Sequence, residues 1–153
     1  MEDIIRRFDI DTGSCLEFGV EFGFSTTVFA NYFKTVTGVD LFTGDPHAGR
    51  HENNFLQMQE SVRPWPNISL VQADYRDFIR EHGGHYDMIH VDIIHNFRDT
   101  FRCGLWAAQH SKVTLFHDTE SYPAVKRAVS RVARETGKQF YNYPRFFGLG
   151  IIA

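Results

Sequence analysis

The residues of this chain whose types could do chemistry stand at the ends of apolar, β-rich runs. Glu17 sits inside the run Cys15 to Phe18, and Glu21 follows it; Asp40 closes Thr35 to Val39. Asp74 closes Ile68 to Ala73, and Asp92 closes Tyr86 to Val91 with His95 three positions on. His117 and Asp118 close Lys112 to Phe116, 25 and 26 positions after Asp92 (117 − 92 and 118 − 92). Five consecutive strands each ending in an acidic or imidazole group exceed what a purely structural sheet needs. In an open α/β sheet, ligands bind at that edge, outside the carboxyl ends of the strands.

The first of these runs sets the pattern for the rest. Cys15, Leu16 and Phe18 read as a short buried strand; Gly19 and Gly23 let the backbone bend and lie close to a ligand, since neither has a Cβ. Ser25, Thr26 and Thr27 start a helix expected to run to about Phe33. Such a helix aims unpaired N–H groups and its positive end at the loop, which favours a phosphate or a carboxylate. The glycine spacing is Gly19-x-x-x-Gly23, without the third glycine of a dinucleotide fingerprint and without the Lys of a P-loop. A nicotinamide oxidoreductase is disfavoured on that ground. Glu17 and Glu21 would also repel a pyrophosphate, and they suit a ligand carrying cationic groups beside its carboxylate. S-adenosylmethionine has an ammonium and a sulfonium.

The pattern Glu17-Phe18-Gly19-x-x-x-Gly23-Phe24-Ser25 resembles the first motif of class I S-adenosylmethionine-dependent methyltransferases, in particular the small-molecule O-methyltransferase branch. The other segments extend the likeness over nearly the whole chain, from Cys15 on. Tyr86-Asp87 before the fourth strand, His117-Asp118-Thr119 after the fifth and Gly148-Leu149-Gly150 in the last are similar to a subgroup. That subgroup includes sugar O-methyltransferases of antibiotic pathways and relatives encoded with glycan or cephalosporin genes. The resemblance implies cofactor contacts from Glu17, Gly19, Glu21, Gly23 and Ser25 in the first loop. It implies ribose contacts from Asp40 with Leu41, an adenine-side contact from Asp74 with Tyr75, and a further contact from Asp92. For Asp40, an ordinary turn or cap role stands beside the ribose role. Methyl transfer to a hydroxyl needs the acceptor held in line and a base or a metal to take up its proton. By resemblance to the metal-dependent branch, Asp92, His117 and Asp118 would hold one divalent ion. Imidazole is a softer ligand than Mg²⁺ prefers, so Mn²⁺ or Fe²⁺ would bind better. Asp92, His95 and His117 are the expected catalytic residues, with either imidazole as the alternative general base.

The elements that must position these groups follow from the runs. An alternation of strands and helices predicts one Rossmann-like α/β domain over residues 1–153, with a mostly parallel seven-stranded sheet and helices on both faces. Helices are expected over Glu52 to Val62, from Tyr75 to the Gly83-Gly84 pair, over Arg98 to His110 and over Tyr122 to Thr136. Two apolar runs, Lys138 to Tyr143 and Phe146 to Ile152, predict a closing antiparallel hairpin. Arg127, Arg131, Arg134 and Lys138 recur at helical steps and read as a solvated face.

Composition bounds the rest. The chain has 153 residues and a net charge of −3, so neither nucleic acid nor an anionic membrane is expected as partner. Most of its 15 Phe belong in a core. Two cysteines at buried positions suit reduced thiols and a cytoplasmic setting, and the acidic N-terminus lacks the apolar segment of a signal or anchor. The expected partner is a small-molecule acceptor. Against the subgroup, Ile93-Ile94 replace the small residues after Asp92, Gln109-His110-Ser111-Lys112 replace a Pro-Gly-Gly turn, and the N-terminal lid is almost absent. A homo-oligomer that completes the pocket fits the last departure. A second reading is a non-catalytic module that binds S-adenosylmethionine or another nucleoside within a complex.

Overall fold

A computed structural model describes residues 1–44 and 53–153. The two loop histidines His47 and His51 and the expected helix start at Glu52 lie outside the described residues. In chain order the elements are α1 (Glu2–Arg7), β1 (Ser14–Phe18), α2 (Phe24–Ala30), β2 (Thr35–Asp40), α3 (Phe55–Val62), β3 (Ile68–Gln72) and α4 (Tyr75–Glu81). Then come β4 (Tyr86–Val91), α5 (Phe97–Gln109), β5 (Ser111–His117), α6 (Pro123–Thr136), β6 (Phe140–Tyr143) and β7 (Leu149–Ile152).

The seven strands form one sheet in the order β3-β2-β1-β4-β5-β7-β6. The first five pair in parallel, as the α-helical crossovers between them require. β7 runs antiparallel between β5 and β6. The fold is therefore the expected mostly parallel, Rossmann-like sheet with an antiparallel end. Chain order reverses at β1, whose neighbours are β2 on one side and β4 on the other. The carboxyl ends of β1 and β4 thus flank the switch point where doubly wound sheets bind ligands.

Side-chain alternation along the central strands divides the core. Leu16, Phe18, Ile89, Val91 and Phe116 face α4, α5 and α6, where Phe78, Cys103, Ala107 and Val129 are buried against them. Phe18 lies edge-on to Phe78 and Trp106, at 5.6 and 5.8 Å between ring centroids. Full burial of such a ring stabilises by about 1.5–3 kcal/mol, so this face anchors the strand that carries the first loop. Cys15, Val36, Met88 and Leu115 face the other way, towards Phe29 and Phe33 from the α2 segment and Ile4 and Ile5 of α1. Met58 and Val62 of α3 close over Val20 and Phe42.

Several boundaries differ from those expected. α2 begins at Phe24 and ends at Ala30, so Phe33 packs from the following turn rather than from the helix. The last strand begins at Leu149; Phe146, at φ 58°, and Gly148, at φ 89°, are taken up by the turn. Arg127, Arg131 and Arg134 are exposed on α6, as expected, and Lys138 lies beyond the end of that helix. Arg131 lies over the Phe101 ring at 5.2 Å, and Lys138 donates to the carbonyl of Ser111 at 2.8 Å. Burial lowers the Lys138 pKa.

Candidate functional site

The glycine turn after β1 is built on contact with β4. Gly19 has φ 87°, and its N–H donates to the Val39 carbonyl at 2.9 Å. A Cβ on Gly19 would stand 1.7 Å from the carbonyl oxygen of Asp92. The backbones of the β1 and β4 tips therefore touch, and a side chain between them is excluded. Gly23, at φ 68°, starts α2 from a left-handed conformation.

Sequence reading put Glu17 and Ser25 against the ligand. The structure turns Glu17 inward: it has no exposed surface, because strand alternation points it under α2 with the same parity as Cys15. Its carboxylate accepts hydrogen bonds from the hydroxyls of Ser25 and Thr26 in the first turn of α2. It also meets Nδ1 of His90 at 2.9 Å, across the Glu17–His90 pair of the β1–β4 register. His90 is buried, which by itself lowers its pKa, but the Glu17 hydrogen bond and the Glu17 and Asp92 charges outweigh this and raise it. Glu17 thus ties the β1–α2 loop to β4 from beneath.

Asp40 ends β2 as expected, and its carboxylate is already engaged. Oδ2 accepts from the N–H groups of Val20 and Glu21 at 2.7 and 2.9 Å, and Oδ1 from Phe42 at 2.7 Å. A carboxylate has about four lone-pair sites, so three backbone donors leave roughly one for a ligand. Glu21, at φ 48°, and Leu41 are exposed beside it. Asp74 caps α4, accepting from Arg76 N at 2.7 Å. Tyr75 is not presented to that edge as the resemblance implied. It is buried in the α4–α5 core, where burial and its hydrogen bond to Asp99 push the hydroxyl pKa up.

The tips of β4 and β5 bring Asp92, His95, His117 and Asp118 together. Nδ1 of His117 lies 3.5 Å from Oδ2 of Asp92 and 3.3 Å from Oδ2 of Asp118. Nε2 of His95 lies 2.8 Å from Oδ2 of Asp118 and 3.7 Å from Oδ1 of Asp92. The His95 ring stacks on Tyr122, with centroids 4.2 Å apart and planes at 4°. Asp118 adopts a left-handed backbone (φ 62°), an uncommon conformation for a residue with a side chain, and its carbonyl accepts from Tyr122 N at 3.1 Å. Burial would raise the pKa of Asp92, but the His95 hydrogen bond and the nearby His90 and His117 charges lower it overall. Asp92 is therefore a carboxylate at neutral pH.

The donor set also fits a divalent ion. Asp92, His117 and Asp118 each offer one ligand atom, all within 4.8 Å of one another. Metal–oxygen distances of about 2.0–2.6 Å give a coordination sphere of comparable span. Nδ1 of His117 is buried and, among the described residues, makes no hydrogen bond. Two carboxylate oxygens and one uncommitted imidazole nitrogen are what Mn²⁺ or Mg²⁺ would need on one side.

Sequence reasoning missed His90, Tyr122 and Phe147 as members of this neighbourhood. For His90 a signal existed: Glu17 and His90 are polar residues inside adjacent apolar strands, and the β1–β4 pairing brings them level. Tyr122 and Phe147 reach the tip through turns whose geometry no periodicity announces.

The profile of a family described as a methyltransferase domain matches residues 16–132. No curated protein matches the sequence. Among solved structures, a Staphylococcus aureus protein provisionally named a caffeoyl-CoA O-methyltransferase superposes with a TM-score of 0.71 at 15% identity, over 99% of this chain and 79% of that one. A Streptococcus mutans protein provisionally named a methyltransferase, bound to S-adenosylhomocysteine, gives 0.71 at 12% identity, over 97% and 96%. The amino pentose methyltransferase of calicheamicin biosynthesis from Micromonospora echinaspora, bound to S-adenosylmethionine, gives 0.68 at 13%, over 98% and 86%. At these identities the likeness is one of fold.

Proposed function

Since the chain belongs to the methyltransferase-domain family, we propose that it is an S-adenosylmethionine-dependent O-methyltransferase acting on a hydroxyl of a small molecule such as a sugar or natural product. The observation that carries this reading is the polar cluster of Asp92, His117 and Asp118 beside the Gly19 turn. Bound S-adenosylmethionine supplies an electrophilic methyl group. Asp40, with its remaining lone-pair site, suits a ribose hydroxyl, and the exposed Glu21 suits an ammonium. Asp74 at the start of α4 keeps its expected adenine-side role, and Gly19 and Gly23 shape the loop floor. Glu17 and Ser25 act by holding that loop.

His117 is the proposed base. Its Nε2 takes the acceptor proton while Nδ1, facing Asp92 and Asp118, carries the second ring proton, and the carboxylates stabilise the resulting cation. His95, stacked on Tyr122 with Nε2 2.8 Å from Asp118 Oδ2, packs against Asp118. A Mn²⁺ or Mg²⁺ ion on Asp92, His117 and Asp118 would instead lower the hydroxyl's own pKa. Two free, buried cysteines support a reducing, cytoplasmic setting. Among the described residues no helix is long and apolar enough to cross a membrane.

The test is transfer of a labelled methyl group to a panel of hydroxyl acceptors. His117→Ala should cut the rate by about 10²-fold or more with S-adenosylhomocysteine binding retained. A rate unchanged by His117→Ala and by Asp92→Ala refutes the catalytic assignment. Loss of turnover in EDTA, restored by Mn²⁺, selects the metal role over the base role.

A further inference from the structure

The sheet ends in β3 on one side and β6 on the other, and the two edges are bordered differently. The β6 edge is flanked by the end of α1 and the residue after it. The Phe8 ring lies edge-on to Tyr141 at 5.1 Å, and Arg7 donates to the Tyr143 hydroxyl at 2.9 Å. Beside β3 lies an open groove of about 400 Å³, whose lining includes Val62, Arg63, Trp65, Ile68, Ser69 and Leu70. We infer that β3 pairs with β3 of a second copy of this chain, antiparallel about a two-fold axis at Leu70, so that one sheet runs through both copies. This pairing is independent of the methyl-transfer reading.

The phase of β3 decides which backbone groups are available. Val36 N–H donates to the Asn67 carbonyl and Ala73 N–H to the Asp40 carbonyl, each at 2.9 Å. In the parallel register that sets Val36 beside Ile68 and Asp40 beside Gln72, Ser69 and Val71 turn their N–H and C=O groups towards β2. Ile68, Leu70 and Gln72 turn theirs outwards. The Ile68 N–H is taken by the Trp65 carbonyl at 3.1 Å. The N–H groups of Leu70 and Gln72 and the carbonyls of Ile68, Leu70 and Gln72 have no protein partner among the described residues. A two-fold axis at Leu70 matches this set to itself. Each Leu70 exchanges both bonds with its counterpart, and each Gln72 N–H meets the Ile68 carbonyl opposite. The occupied Ile68 N–H falls at the ends of the pair, opposite the Gln72 carbonyl, and leaves the centre intact.

The composition of the edge points the same way. An edge strand that stays solvated is commonly guarded by a charge, a proline or a bulge. Ile68-Ser69-Leu70-Val71-Gln72 has neither charge nor proline, and its register with β2 runs without a bulge. Pro64 and Pro66 are confined to the turn before it. Self-pairing also brings no block of like charge together. Glu60 and Arg63 at the end of α3 pair within the chain at 3.3 Å, and Asp77 and Arg80 of α4 at 2.6 Å. The helices that border the two ends of β3 thus meet their counterparts as neutral pairs. A two-fold contact needs one surface that complements itself, and this uncharged edge does so in its hydrogen bonds.

The experiment is sedimentation equilibrium of the full chain over micromolar concentrations, with amide hydrogen exchange read at Leu70 and Gln72. The wild type should dimerise reversibly, and these two amides should exchange more slowly as concentration rises. Ser69 is exposed and lies diagonally across the axis from its counterpart. Ser69→Lys and Ser69→Glu should each weaken association by about tenfold or more, and an equimolar mixture of the two variants should dimerise again. Circular dichroism checks that each variant folds. A wild type that stays monomeric, with the Leu70 and Gln72 amides exchanging freely, has a solvated edge and overturns the inference. A dimer that Ser69→Lys leaves unchanged pairs through another surface and overturns it equally.

Discussion

A single buried pair, Glu17 and His90, joins the β1–α2 loop to the β4 tip. Glu17 takes two hydroxyl donors from α2 and one imidazole from β4, and His90 sits two residues before Asp92. Removing one partner of a buried pair leaves the other uncompensated, at a cost of about 3–5 kcal/mol. The pair also has a pH signature. His90 in the folded protein has a pKa raised above its ordinary 6.5, despite burial, because Glu17 holds the proton. A raised histidine pKa means that the folded state binds the proton more tightly than the unfolded chain. Its stabilisation is fully present below pH 6.5 and is lost as pH rises through the folded value. Urea unfolding of the wild type and of His90→Gln between pH 5.5 and 9 should show their stability difference shrinking as pH rises. A difference that is flat or grows removes the protonated pair from the account.

Among the elements, the β1–α2 turn is the most demanding. Gly19 combines a left-handed φ with a Cβ position already filled by the Asp92 carbonyl, so two independent constraints meet at one residue. Gly19→Ala should cost at least ~3 kcal/mol or prevent folding, since backbone atoms on both sides must shift. Gly83→Ala is the control: a Cβ there meets nothing within 4 Å, and the change should stay within about 0.5 kcal/mol. Equal effects of the two substitutions, by thermal unfolding, would contradict the close packing of the β1 and β4 tips. The turn was legible in the sequence because only glycine satisfies such a position. The inward turn of Glu17 was less so. Its parity with Cys15 was readable, but which face a strand presents to which helix depends on the whole sheet. Asp92, His117 and Asp118 were legible through their places at strand ends, and the sheet brings all three together with His95. Phe147 was not, because its place depends on how a hairpin turn docks on the segment after β5. Tyr75 was misread for a related reason: a residue beside a tip acid can as easily face the core, and its hydroxyl finds Asp99 on α5.

For the molecule as a whole, the sheet order and the row of tip residues tell one story. The order β3-β2-β1-β4-β5-β7-β6 puts the switch point between the Gly19 turn and Asp92, and the tips of β2, β3, β4 and β5 carry Asp40, Asp74, Asp92 and His117 with Asp118. The order of strands and helices and the antiparallel end were readable from the alternation of apolar runs. The insertion of β7 between β5 and β6 is what seats the Phe146–Gly148 turn beside the β5 tip. The central claim is that this edge binds S-adenosylmethionine, and calorimetric titration with S-adenosylhomocysteine tests it most directly. The account predicts one-to-one binding with a Kd on the order of 1–10 µM, weakened by Asp40→Ala. A folded sample that gives no heat of binding with either S-adenosylhomocysteine or S-adenosylmethionine would contradict it.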